Sequence, residues 1–317
     1  MGVTVTDANN KLRIGVVLSS GGGRGVFAHT GFLQALEQLD IEIAAIAGCS
    51  AGALVGGIYA SGTKLSQWTK TLAKVHPRDY WTPDSRLKFL WSMIVRKGRG
   101  YTGLSSPQTA IKFIRQQLAV QTFEDCKIPF HSLAMNLTRS TKTLFGEGEL
   151  APRIIASAAV PILYRPVEID GEWFSDGASL DLAPTDAVCC KHNLDVLLVH
   201  HAAMHREGKA GLAHVLKQPW SLLELLYLQL YSERPWYLTN KALFETRCQC
   251  GCGARVIVLK PDLPELSWSL DNKGDAIQEL AIMNAIEQLS KKNQNGKSAT
   301  SMLAITRGYQ NCAKRNK

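Results

Sequence analysis

Gly48-Cys49-Ser50-Ala51-Gly52 sets a serine between two glycines as GxSxG. It follows the apolar run Ile43–Ala47 and precedes a second small-residue stretch, Ala53–Ile58. A sharp turn between a strand and a helix is the context in which this pattern holds a serine hydroxyl outward as a nucleophile. Gly48 and Gly52 are required at the elbow because a side chain there would meet the neighbouring strand or helix. The chemistry available to such a hydroxyl is attack on a carbonyl carbon, that is, acyl transfer through a covalent intermediate. It needs two companions: a base for its proton and a cradle of donors for the oxyanion.

A cradle is offered upstream. Arg13–Ser19 reads as a short buried strand, and Ser20-Gly21-Gly22-Gly23-Arg24-Gly25 follows it before a stretch with helical spacing, Val26–Leu39. A glycine-rich turn from strand to helix can direct several backbone N–H groups at one anion. Gly21, Gly22 and Gly23 are therefore candidate oxyanion donors. A nucleotide-phosphate loop fits poorly, since Val26 stands where GxGxxG needs glycine and no Walker lysine follows. The base is sought downstream, where Asp176-Gly177-Ala178 follows a strand expected over Glu172–Ser175. An aspartate before glycine is ordinarily a turn former; it becomes a base only if the fold brings it to Ser50. A rival arrangement is a Ser–His–Asp triad. The strand expected over Leu194–Val199 ends at His200-His201, which gives the chain order serine, aspartate, histidine.

Taken together, GGGRG, GxSxG and DGA resemble the patatin-like phospholipase family, over roughly residues 13–200, with the phrases AxxAVP and PVEIDG between residues 156 and 171 adding to the likeness. The resemblance implies a patatin-like fold and a serine hydrolase of carboxylic esters, of phospholipase A or lysophospholipase type, that uses no metal and no cofactor. Ser50 would be the nucleophile and Asp176 its partner in a dyad. Gly21, Gly22 and Gly23 would hold the oxyanion, and Arg24 would support it or bind a lipid phosphate, a structural ion pair being the plainer role for that arginine. Two positions depart from the pattern. Ser20 stands where the family has its first glycine, and Asp181-Leu182-Ala183-Pro184 replaces Asp-Asn-x-Pro. A catalytically silent lipid-binding scaffold with the same fold is the alternative outside enzymes.

At 317 residues and 45% hydrophobic content the chain can bury a large core. Apolar strands expected at 13–19, 43–49, 130–136, 194–200 and 254–259 alternate with helices expected at 25–39, 51–61, 106–118, 184–190 and 275–290. Such alternation predicts a three-layer α/β/α sandwich around a largely parallel sheet. The expected organisation is a disordered N-terminal segment 1–12, an acyl-hydrolase domain 13–290 with insertions near 64–105 and 205–247, and a basic C-terminal tail 291–317. Met1-Gly2-x-x-x-Thr6 also fits a myristoylation pattern, meaningful only in a eukaryotic host.

The net charge of +9 is unevenly spread. Residues 64–99 hold nine Lys or Arg against two Asp, and residues 291–317 hold seven basic residues and no acidic one. The first stretch interleaves its charges with Trp68, Tyr80, Trp81, Phe89 and Trp91, which suits an anionic membrane surface, although the aromatics could equally be core. A nucleic-acid partner is not expected, because it leaves the three motifs unexplained. In 211–245, Leu222, Leu223, Leu225, Leu226, Leu228 and Leu230 crowd together too densely for a narrow amphipathic stripe. They imply a buried helix, a wall or lid over an acyl pocket, or a dimer contact. The sequence carries no other signal of oligomeric state. No signal peptide or membrane span appears, and the cysteines, among them Cys189-Cys190 and Cys248-x-Cys250-x-Cys252, lack CxxC spacing and a nearby histidine. Reduced thiols in a cytoplasmic protein, with peripheral contact to membranes, are the expectation.

Overall fold

A computed structural model describes residues 12–202, 216–217, 221, 225, 236–238, 241–264 and 274–290. The expected N-terminal segment other than Leu12, most of the leucine-rich insertion, and the basic tail lie outside the described residues.

The chain opens with β1 (Ile14–Leu18), α1 (Gly22–Gln38), β2 (Ile43–Cys49) and α2 (Ala51–Ala60). Next come α3 (Leu65–Leu72), α4 (Pro77–Tyr80), α5 (Arg86–Ile94) and β3 (Gly103–Ser105). After α6 (Gln108–Gln117) come β4 (Phe130–Asn136), β5 (Thr141–Phe145), α7 (Leu150–Ala158), β6 (Ile162–Tyr164), β7 (Val167–Ile169) and β8 (Glu172–Asp176). The remainder is β9 (Val196–His200), β10 (Leu243–Arg247), β11 (Arg255–Leu259) and α8 (Gly274–Ser290). The helix expected over 184–190 is a 3-10 turn at Thr185–Ala187 instead. Thr185, Ala187, Val188 and Cys189 are buried while Asp186 and Cys190 reach the surface, so packing on both sides of the short turn, rather than a continuous helical period, sets this stretch.

Nine strands form the main sheet, in the order β10-β11-β9-β1-β2-β4-β8-β7 with β5 also on β4. β11, β9, β1, β2 and β4 are mutually parallel, and antiparallel strands flank them. Side chains of β1 alternate between two cores, as strand geometry requires. Val16 and Leu18 pack with α1, α2, α7 and α8, whereas Val17 packs with Val199, Ala183, Val188 and Tyr237. Burial on both faces explains why β1 reads as an unbroken apolar run. The outcome is the expected α/β/α sandwich. On its larger face α1 and α8 pack closely; a β-carbon on Gly31 would lie 2.3 Å from the Gln278 carbonyl oxygen, so this crossing requires glycine.

Two features of the sheet position the site. The chain runs from β1 to β2 on one side, and β9 returns on the other, so the carboxyl end of β1 lies where the strand order reverses. Crevices at that point of an open α/β sheet are where ligands bind. The second feature is on β4. β5 pairs with Ser132 through Asn136 along one edge of β4. On the opposite edge β2 pairs with Phe130–Leu133 and β8, running the other way, pairs with Ala134–Asn136. β2 therefore ends with Cys49 opposite Leu133, and β8 ends with Asp176 opposite Ala134. Two strands meet head to head along one edge of β4.

Candidate active site

That meeting brings residues 50 and 176 together. The Ser50 hydroxyl donates a 2.8 Å hydrogen bond to Asp176 Oδ2. Ser50 sits between β2 and α2 with φ 53 and ψ −116, a left-handed conformation that a serine adopts only where its surroundings hold it. Its N–H donates to Ser157 Oγ at 2.9 Å, from the end of α7. The glycines of the elbow are steric necessities. A β-carbon on Gly52 would lie 2.1 Å from the Leu18 carbonyl oxygen, and one on Gly48 would lie 2.3 Å from that of Gly52. Cys49, beside the serine, is wholly buried, and burial pushes its thiol well above the ordinary cysteine range, so it stays protonated.

Asp176 is fully buried. Its Oδ1 accepts from the Ala178 N–H at 2.9 Å, and its own N–H donates to the Ala159 carbonyl at 3.1 Å. Burial raises its carboxyl to about 7, against the opposing pull of the hydrogen bonds from Ala178 and Ser50. A carboxylate that gains and loses a proton near neutrality is suited to general-base work.

The glycine loop lies at the start of α1, where the first N–H groups of a helix have no partner within it. Gly22 takes φ +57, and Gly22 and Gly23 are exposed. Around them the loop is fastened: Ser19 N–H donates to the His200 carbonyl, Ser20 N–H to that of Leu182 and Gly25 N–H to that of Gly21. A β-carbon on Gly25 would come within 3.0 Å of the Ala51 β-carbon, so the starts of α1 and α2 lie side by side and their positive dipole ends converge. Ser20 takes no left-handed backbone angle, so its departure from the glycine pattern costs no strain of that kind. Arg24 donates to the carbonyls of Leu263 and Ala202 at 3.0 and 2.7 Å, which braces the loop against two later segments.

The histidines of the rival arrangement are elsewhere engaged. His200 is buried, with its ring stacked 4.3 Å from Phe32 and its Nδ1 2.8 Å from Nδ1 of His29. His29 Nε2 lies 2.7 Å from the Ser19 carbonyl and must donate there. His29 Nδ1 is then the acceptor and His200 the donor. Burial lowers His29 to about 4 and His200 well below the usual imidazole value, so both rings are neutral. The His201 N–H donates to the Leu259 carbonyl, and its ring neighbours Tyr237.

Ser157, His29 and Tyr237 carry no motif of their own and were not foreseen as site residues. Ser157 lies within the ASAAVP phrase, whose only sequence signal was its family likeness. Tyr237 donates from its hydroxyl to Asp181 Oδ1 at 2.7 Å and accepts from the Ala183 N–H, while Lys142 bridges Asp181 and Asp186. Leu182, where the family has asparagine, packs instead with Cys49, Leu133 and Ala178.

This fold and these motifs define a known class. The family model described as Patatin-like phospholipase matches residues 16–188, more than half of the chain, and the chain belongs to that family. An uncharacterized NTE family protein of Mycobacterium tuberculosis is 32% identical over 174 residues, covering 54% of this chain and 44% of its own length. Lysophospholipase NTE1 of Saccharomyces cerevisiae is 28% identical over 171 residues, covering 54% of this chain and 10% of its own. The match thus spans less than half the length of either relative. Human GIVD cytosolic phospholipase A2 is similar in fold, with a TM-score of 0.53 at 9% identity over 90% of this chain and 62% of that one. Among the described residues no helix is long and apolar enough to cross a membrane.

Proposed function

We propose that this protein is a serine hydrolase that cleaves carboxylic ester bonds of lipids through a Ser50–Asp176 dyad. The observation that carries the reading is the 2.8 Å hydrogen bond from a serine with left-handed backbone angles, at a helix N-terminus, to a buried carboxylate. Asp176 takes the Ser50 proton as Oγ attacks the ester carbonyl carbon. The oxyanion formed is held by N–H groups of Gly21, Gly22 and Gly23, and one such donor is typically worth about 10²–10³ in rate. Collapse breaks the ester C–O bond, and Asp176 returns the proton to the leaving alcohol, which leaves Ser50 acylated. Asp176 then deprotonates a water that attacks the acyl-enzyme, releasing a carboxylic acid and restoring the serine. A carboxylate base is weaker than imidazole, so this design leans on the glycine cradle. Binding as a silent scaffold would not need a base poised near neutrality.

The test is a pair of variants assayed on a soluble p-nitrophenyl ester and on a lysophospholipid, with fluorophosphonate labelling as an independent readout. Ser50→Ala and Asp176→Asn are each expected to lower kcat on the order of 10³-fold or more, and Ser50→Ala to abolish labelling. Serine-independent turnover or labelling, or full activity in Asp176→Asn, would overturn the dyad.

A peripheral membrane contact is supported by α5. Leu87, Leu90, Trp91 and Ile94 are exposed there and Val95 follows, while Arg86, Arg96, Lys97 and Arg99 flank them. An exposed apolar helix set among cations matches an anionic lipid surface. Trp68, by contrast, is core: it is buried and donates to Thr30 Oγ1.

A further inference from the structure

Far from the dyad in sequence, the fold gathers five cysteines that the chain keeps in two groups. Cys189 ends the buried stretch after the 3-10 turn with the exposed Cys190 beside it, and Cys248, Cys250 and Cys252 lie at the tip of the β10–β11 hairpin. All five sulfurs lie within 4.8 Å of one another. Cys248 Sγ is 3.2 Å from Cys189 Sγ and 2.8 Å from Cys250 Sγ, and Cys189 Sγ is 3.4 Å from those of both Cys190 and Cys250. Cys190 and Cys250 are within bonding distance as a disulfide.

The hairpin tip is shaped to converge its sulfurs. Cys248 N–H donates to the Ala254 carbonyl, which closes the loop, and Gly251 and Gly253 take φ +79 and +81. Glycine is needed for those left-handed angles, and the tight turn they permit sends alternate residues 248, 250 and 252 back to one locus. A disulfide would use two sulfurs and leave three more packed against it. A tetrahedral zinc ion uses four, with Zn–S distances of about 2.3 Å and hence sulfurs roughly 3.8 Å apart, so sulfurs now 2.8–3.4 Å apart, all within 4.8 Å, need only spread slightly around the ion. The donor set is all sulfur, which selects a thiophilic ion over calcium or magnesium. Cys189 and Cys248 are buried while Cys190, Cys250 and Cys252 are exposed, so the locus has a floor and an open side for entry.

We propose that this cluster is a structural zinc(II) site in which four of the five thiolates bind the ion, with Cys189 and Cys248 forming its floor. Loading replaces S–H bonds with S–Zn bonds and releases the thiol protons, with no change of oxidation state. The spacing rule that argued against a metal fails here because two segments about 60 residues apart supply the ligands. The ion would clip the edge hairpin to the stretch that leads back to Leu182, whose carbonyl holds the Ser20 N–H beneath the glycine loop. The inference does not depend on the catalytic reading.

Full-length protein purified under reducing conditions is expected to carry about one zinc per chain, measured by inductively coupled plasma mass spectrometry. A thiol-blocking reagent should release it, and cobalt(II) replacement should give thiolate-to-cobalt charge transfer with tetrahedral ligand-field bands. The double variants Cys189→Ser with Cys248→Ser and Cys190→Ser with Cys250→Ser, each left with three of the five cysteines, should lose the zinc and lower the Tm by several degrees. If those variants do not fold, the cobalt spectrum and zinc release from the wild-type chain decide. Zinc well below one per chain with a Cys190–Cys250 disulfide found by peptide mapping, or iron or copper in its place, would overturn the proposal.

Discussion

Asp176 carries two jobs that pull against each other. Its burial is what lifts its carboxyl to about 7, as the proposed role of general base requires, and burial of an ionised group also weakens the fold. In the unfolded chain an aspartate titrates near 4, so between about pH 4 and pH 7 the folded state binds the extra proton. Stability from this group is therefore full below the unfolded value and is lost as the pH rises through the folded one. Asp176→Asn removes the charge and should gain stability over the wild type at pH 8, on the order of 2–4 kcal/mol, with a smaller gain at pH 5. Urea unfolding of both proteins at the two pH values checks this, and an equal difference at both would refute it. In the wild type, kcat/KM should fall as the pH drops below about 7, because the base becomes protonated. Ser50 and Asp176 were legible as letters, since their glycine neighbours mark them. Ser157 was not, because a serine that accepts one backbone N–H from 107 positions away leaves no local trace.

At the scale of elements, steric fit between β1 and α2 decides whether the elbow exists. Gly52→Ala would drive a methyl into the Leu18 carbonyl, which is backbone and has nowhere to go. A loss of about 3 kcal/mol or more is expected, seen as a lower urea midpoint, together with loss of ester turnover. α5 makes the opposite case, a helix that packs too little. Trp91→Asp with Ile94→Asp should weaken binding to anionic vesicles in a sedimentation assay at least about tenfold, and leave turnover of a soluble ester unchanged. Equal binding by variant and wild type would remove α5 from the membrane contact. The interleaved aromatics of 64–99 were ambiguous in sequence because Trp68 and Trp91 look alike there. Only packing separates the buried ring that reaches Thr30 from the exposed one.

At the scale of the whole molecule, the alternation of short apolar strands with helices was enough to read the parallel core, since β1, β2, β4, β9 and β11 all fall within the expected strands. β8 falls on the strand expected over Glu172–Ser175, whereas its partner β7 had no expected element, because three residues are too few to show a period and pairing with β8 sets them. The cysteine cluster was invisible for a related reason, because its halves lie on separate segments. The arrangement along β4 has a consequence for the life of the protein. One strand serves as a ruler on which serine and aspartate are measured into place from opposite ends. Under the proposed dyad, a chain in which β2 or β8 has not docked on β4 has no hydrolytic competence toward the lipids around it.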